Sequence, residues 1–375
     1  MILKILRDLW YNCIVKKQVT PTEKDVRDTK NLAHRLKGKT DSEMLNNILE
    51  WQDKNILAWE ERWILFLNFV VSMMLFLILI SFFKVSQPIV FGLAFLFVLS
   101  FIANMSMLAI LGYLTYTAML FIAIFIIFQS RYTMFTLIFS LFLGWFIAIF
   151  MQLFIKYRTL KRYSSRFKVS DTFLLSLPVK KILEYRLSVC RDYAKLTAAL
   201  LSNLYPKNRI FFFTFPGHVA TGIERNGKIY ILDQKLPIMD EQAWLNRWER
   251  DKAIKLELKR SGNKFDVAYL GEINRQEKVK LETQKHLIET IEDAIKRGKR
   301  EITYTLKGRA KIYDINDEVI RDSLMRHYTL LLQREFAGNF FKIKKLEITK
   351  KGNDLISVSY THLRAHETRH DLVCR

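Results

Sequence analysis

The chain has 375 residues, with 59 Lys and Arg against 37 Asp and Glu, for a formal net charge of +22. That length accommodates a membrane region plus one or two folded domains. Its three cysteines, Cys13, Cys190 and Cys374, are spaced so as to exclude both a disulfide framework and a C-x-x-C metal knuckle.

In chain order, the N-terminal segment is no secretory signal, because Lys4, Arg7 and Asp8 interrupt the apolar stretch such a signal needs. Leu3, Leu6, Leu9, Trp10 and Ile14 recur at helical spacing. A helix of this kind either lies on a membrane surface or packs on a folded domain, and spacing does not separate the two.

Between residues 63 and 155 the charged side chains are Lys84 and Arg131 alone. At a rise of about 1.5 Å per residue, a hydrocarbon core of roughly 30 Å needs about 20 apolar residues. Four transmembrane helices are therefore expected: Trp63–Phe83, two within Gln87–Ser130 broken near Asn104, and Tyr132–Ile155. The basic stretch that follows carries Lys156, Arg158, Lys161, Arg162, Arg166 and Lys168. Positive residues favour the cytoplasmic side. The expected localisation is an integral, multi-pass membrane protein with both termini and the following domain cytoplasmic.

After Cys190, the residues Ala194, Leu196, Thr197, Ala198, Leu200, Leu201 and Leu204 form the apolar surface of a helix that Pro206 ends. Cys190 opens this helix. Free backbone N–H groups and the positive helix end there stabilise a thiolate, and the same donors suit an oxyanion.

Two apolar runs then flank Asn226-Gly227, the favoured pair for a two-residue type I′ hairpin. With that turn Arg225 faces Lys228, Ala220 faces Asp233, and His218 faces Lys235. Side chains repeat every two residues, so His218 and Asp233 share a face as diagonal neighbours. A thiol nucleophile needs a base, and the base needs a partner that fixes its tautomer. Taken singly, His218 also reads as a satisfied strand histidine and Asp233 as a surface acid.

The blocks "VCRDYAKLTAALL", "GHVATGI" and "YILDQKLPI" resemble the three motifs of the transglutaminase-like superfamily, and "LPVKKIL" is similar to a lead-in of its microbial members. The resemblance covers about residues 165 to 250. It implies an α+β papain-like fold, with Cys190 as nucleophile, His218 as base and Asp233 as orienting acid. It implies no cofactor and no metal. The sequence departs from the family at Ser188, where many members have Gly, and at Val219 and Ala220, where an aromatic is common. The active members cleave or transfer amide carbonyls through a thioester, and others are catalytically silent.

From Gln276 the pattern changes to helix, strand, helix, strand: "QEKVKLETQKHLIETIEDAIKRG", "EITYTL", "NDEVIRDSLMRHYTLLLQREFAG" and "FFKIKKLEIT". His286 and His327 fall within these helices as packed or solvated residues. Residues 156 to 375 carry 45 basic against 27 acidic side chains. Beside a membrane such charge favours anionic headgroups. No recognition motif supports nucleic-acid binding.

The terminal "HETRH", His366–His370, spells a zinc-helix motif, but it has no apolar face to bury and no third ligand fixed by a core. The stretch from 357 resembles adapter-like read-through sequence and is set aside from fold reasoning.

The sequence thus predicts an N-terminal cytoplasmic helical segment (1–62), a four-helix transmembrane region (63–155), a transglutaminase-like domain (156–275), a small α+β appendage (276–356) and a non-native tail (357–375). The expected function is a membrane-anchored thiol enzyme that cleaves an amide or peptide bond of a protein or peptide substrate. A catalytically silent binding or scaffold module is the alternative. Oligomeric state and the choice between water and an amine as acceptor are not legible in the sequence.

Overall fold

The computed structural model describes residues 16–59, 153–174, 176–262, 264–279, 284–297, 301–306, 312–335, 341–351 and 354–363. The chain divides into two units, one of residues 1–56, 178–180 and 190–375, the other of 57–177 and 181–189.

After a single helical turn at Lys16–Val19, the first unit continues with helices α1 (Glu23–Arg35) and α2 (Asp41–Asn55). Each has a threonine N-cap, because a short side-chain oxygen satisfies an N–H the helix leaves free. Thr22 and Asp25 form a reciprocal capping box on α1, and Thr40 accepts from Glu43 N on α2. Helix α1 packs on α3 (Cys190–Leu204), whose residues from Asp192 to Ser202 are buried. Folded packing of the N-terminal part is thus seen from Lys16 onward. The apolar positions Leu3 to Ile14 lie outside the described residues.

A five-stranded antiparallel sheet follows, built from β1 (Ile210–Phe215), β2 (His218–Arg225), β3 (Lys228–Leu232), β4 (Lys252–Ser261) and β5 (Lys264–Asn274), in the spatial order β3-β2-β1-β4-β5. Strand β1 is buried along its whole length, in keeping with its apolar residues on both faces, and Phe211, Phe212 and Phe213 fill the core. Helix α3 lies against β1 and β2, and α4 (Glu241–Arg247) lies against β3.

Beyond the sheet come α5 (Gln284–Lys296), β6 (Glu301–Leu306), α6 (Glu318–Glu335), β7 (Phe341–Lys351) and β8 (Asp354–Leu363), with the strands ordered β6-β8-β7. Asp317 ties α6 to the first sheet. Its Oδ1 accepts from Val319 N at 3.0 Å, and its Oδ2 accepts from Lys228 Nζ at 2.8 Å and Tyr230 Oη at 2.9 Å on β3. The boundary expected at residue 357 falls inside β8, which pairs with both β6 and β7. Residues 364–375, with the whole of "HETRH", lie outside the described residues.

In the second unit, residues 153–163 are helical, and a 3-10 turn spans Val169–Phe173. Leu57–Ala58 pairs in parallel with Leu187–Ser188. Buried Asp171 accepts from Tyr185 Oη, and Lys181 Nζ donates to the same phenol oxygen at 2.9 Å.

The expected fold class, a four-helix membrane domain ahead of the α+β domains, is corrected. Among the described residues no helix is long and apolar enough to cross a membrane, and the architecture is α+β around a five-stranded sheet. The described part of the expected spans is 153–155, and it begins a helix that also carries Lys156, Arg158, Lys161 and Arg162. The rest of 63–155 lies outside the described residues. The integral, multi-pass localisation with cytoplasmic termini rested on those spans and falls with them. The physical reason is that apolar run length measures only a tendency to leave water, which a folded core satisfies as well as a bilayer does.

Candidate active site

Cys190 is the first residue of α3 and is partly exposed. Its helix is fixed by side-chain bonds to its neighbours: Thr221 Oγ1 on β2 donates to Ala194 O at 2.9 Å, and Gln52 Nε2 on α2 donates to Thr197 Oγ1 at 2.8 Å. Tyr193 Oη donates to Ile56 O at 2.9 Å. These bonds hold α3 to the sheet and to the N-terminal helices.

The turn Pro216-Gly217 joins β1 to β2 with Phe215 paired to His218. Gly217 has φ of +89°, a region that glycine enters without a Cβ penalty. The turn places His218 at the head of β2 and brings the Gly217 carbonyl 4.0 Å from Cys190 Sγ. At the far end of β2, Asn226 and Gly227 have φ of +51° and +76°, as a type I′ turn requires. Arg225 pairs with Lys228, and the ladder continues to Thr221 and Leu232. Asp233 follows immediately, one step past the last pair and opposite Ala220 by extension of that register.

The structure brings His218 and Asp233 together. His218 Nε2 lies 2.8 Å from Asp233 Oδ1 and 2.9 Å from Oδ2, with the residues 6% and 3% exposed. Nε2 is thereby committed to the carboxylate, which leaves Nδ1 as the ring nitrogen for the thiol. Burial disfavours a charged imidazole, but the Asp233 charge and hydrogen bond, with further contributions from Cys190, outweigh it and raise His218 from 6.5 to about 9. Burial likewise disfavours the Asp233 carboxylate. The His218 charge and hydrogen bond prevail, helped by Arg247 and Trp248, and hold Asp233 below the usual carboxylate range.

Two tryptophans complete the site, and sequence reasoning missed both. Trp244 Nε1 and Trp248 Nε1 donate to Asp233 Oδ2 at 2.9 and 2.7 Å. They sit four apart, in the middle of α4 and at its C-cap, and so share one helix face. Asp240 starts that helix by accepting from Ala243 N at 2.7 Å, and the paired bonds between Ile231 and Met239 at 2.7 and 3.2 Å hold its approach against β3. The available signal was W-x-x-x-W behind an Asp N-cap, in "DEQAWLNRW".

Among the described residues no group of three His, Cys, Asp or Glu is placed to hold a metal ion. His286 Nδ1 lies 2.9 Å from Tyr304 Oη, and the His327 ring packs on Tyr328 at a centroid distance of 5.2 Å.

Residues 141–260 match the family described as a transglutaminase-like domain. The match supports the transglutaminase-like superfamily for this part of the chain. It begins inside the last expected membrane span and contains Cys190, His218, Asp233, Trp244 and Trp248. The chain is also similar to a UPF0252 protein of Methanocaldococcus jannaschii, 26% identical over 92% of this chain and 97% of the relative. An uncharacterized protein of the same organism is 42% identical over 16% of this chain and 89% of its own length. A UPF0252 protein of Archaeoglobus fulgidus is 39% identical over 22% of this chain and 28% of its own. No solved structure matches.

Proposed function

We propose that this protein is a thiol enzyme that cleaves an amide or peptide bond. The observation that carries the reading is His218 Nε2 held on both oxygens of buried Asp233, at 2.8 and 2.9 Å, with Nδ1 left for the thiol that opens α3. In this reading the Cys190 proton rests on His218 Nδ1 as a thiolate–imidazolium pair, and the thiolate attacks the substrate carbonyl carbon. The oxygen of the tetrahedral intermediate is stabilised by backbone N–H groups at the start of α3. His218 then protonates the leaving amine, the C–N bond breaks, and a thioester remains. Water, deprotonated by His218, releases the acid and restores the thiol. Asp233 holds the Nε2–H, so the proton exchanged with thiol, amine and water is the one on Nδ1, and it stabilises the imidazolium.

The reading is tested by alkylating the full-length protein with iodoacetamide across pH, comparing wild type with Cys190→Ala and His218→Ala. Rapid modification of Cys190 at neutral pH that slows in His218→Ala is the expected result. A Cys190 that reacts no faster than a free exposed thiol, with or without His218, would overturn it.

A further inference from the structure

Trp248 combines two properties that are seldom found together. It is 38% exposed, yet its indole N–H points inward to a carboxylate that is 3% exposed, at 2.7 Å. An indole so placed could satisfy its donor with water. Its ring also lies against the His218 imidazole, with centroids 3.9 Å apart and planes inclined by 34°. Trp244 is different. It is fully buried among Phe213 and Phe215, with centroid distances of 6.0 and 5.2 Å, and its ring is 6.2 Å from His218. Trp244 belongs to the core, whereas Trp248 sits at its edge, touching Phe215 at a centroid distance of 5.8 Å, with its closest ring contact and its donor on the His218–Asp233 pair.

The backbone fixes this arrangement. Trp248 is the C-cap of α4, its N–H reaching Trp244 O at 3.2 Å, and the next residue, Glu249, turns the chain with φ of +50°. Arg250 N then returns to Leu245 O at 2.9 Å, and the Arg250 guanidinium lies over the Phe215 ring at 5.0 Å. The helix end is closed on the side of Trp248, so the indole is held there by the fold as well as by its own contacts.

We propose that Trp248 is a positioning residue that clamps His218 onto Asp233: its N–H anchors Asp233 Oδ2 and its ring fixes the imidazole plane and keeps water off the pair. The inference rests on the thiol-enzyme reading above for its consequence, but its geometry is independent of that reading. An unclamped imidazole can rotate about χ2 and let Nδ1 leave the line to the thiol. An aromatic face against the ring also favours the imidazolium over bulk solvent competition.

The test uses two readouts on the full chain. The first is tryptophan fluorescence against pH, because a protonated imidazole in ring contact quenches indole emission. Wild type should show a transition centred near about 9, where His218 loses its proton, and the transition should be lost in His218→Ala and reduced severalfold in Trp248→Phe. The second is the iodoacetamide rate at Cys190. Trp248→Phe keeps a ring and loses the donor, and Trp248→Ala loses both. The expected order is wild type, Phe, Ala, with Ala slowed roughly tenfold or more, the scale of one lost charge-assisted hydrogen bond.

A merely structural role predicts lower Tm with the alkylation pH profile unmoved, and that result would sink the clamp. If Trp248→Ala does not fold, Trp248→Phe decides: an unchanged rate at unchanged Tm is equally fatal. A wild-type Cys190 that is unreactive beside an intact fluorescence transition removes the enzyme reading and leaves the clamp standing. Absence of any His218-dependent transition in folded wild type refutes the clamp directly.

Discussion

Thr221 Oγ1 donates to Ala194 O across 2.9 Å, joining the strand that carries His218 to the helix that carries Cys190. Thr221 is fully buried, so this bond is made in a low-dielectric interior where its geometry matters. In the proposed mechanism it helps to register the thiol against the imidazole. Thr221→Val keeps the β-branched shape and removes the donor. Stability should fall by about 0.5–1.5 kcal/mol, and iodoacetamide should modify Cys190 more slowly. A variant with wild-type Tm and wild-type rate would show that this contact plays no part in registration.

The roles of His218 and Asp233 separate in their variants. His218→Ala removes the proposed base and should abolish turnover of any amide substrate the wild type accepts. Asp233→Asn keeps the shape but can donate to Nε2, which favours the tautomer with the proton on Nδ1. Its rate should fall by about 10³–10⁴-fold while circular dichroism stays native. Equal activity of Asp233→Asn and wild type would contradict the assignment.

The pair also makes stability depend on pH at both ends. Asp233 is depressed in the fold, so its contribution is present above the ordinary carboxylate value and is lost as pH falls through its folded value. His218 is raised from 6.5 to about 9, so its contribution is full below 6.5 and is lost as pH rises through about 9. Thermal melts should therefore show the largest Tm difference between wild type and His218→Ala below pH 6.5, narrowing through pH 9. A difference that stays constant from pH 6 to 10 would contradict the raised value.

Asp317 predicts how the C-terminal elements depend on the sheet. Its carboxylate takes Lys228 Nζ and Tyr230 Oη while its other oxygen caps α6, and these partners hold it below the usual carboxylate range against the opposing effect of burial. Asp317→Ala strands a buried Tyr230 hydroxyl and removes a cap. A loss of about 2–4 kcal/mol is expected in denaturant melts, with faster hydrogen exchange in α6. Unchanged exchange in α6 would show that it is anchored elsewhere, for example through Ser323 Oγ, which accepts from Ile238 N at 2.6 Å.

The motif at residues 366–370 gives a simple control. The proposed chemistry runs on thiol, imidazole and carboxylate, so EDTA should leave the Cys190 alkylation rate unchanged. Removing residues 364–375, which starts just beyond β8, should leave it unchanged as well. A rate that drops on truncation and returns with added zinc would instead support a metal role for His366 and His370.

What the sequence determined by itself is local. Asn226-Gly227 sets a two-residue turn, a two-residue turn sets the Arg225–Lys228 register, and strand alternation carries that register back to His218 and on to Asp233. Cys190 at the start of α3 was legible in the same way, because the apolar spacing after it defines where the helix begins. Such features depend on backbone sterics over a few residues.

Only the tertiary structure decided what converges on them. Trp244 and Trp248 reach Asp233 across a cis Leu236–Pro237 loop and a separate helix, a closure that no periodicity encodes. The bond from Thr221 to Ala194 and the anchoring of α6 by Asp317 on β3 are likewise made between segments far apart in sequence. The membrane expectation failed for a related reason. Hydropathy records only how strongly a run avoids water, and among the described residues no helix is long and apolar enough to cross a membrane.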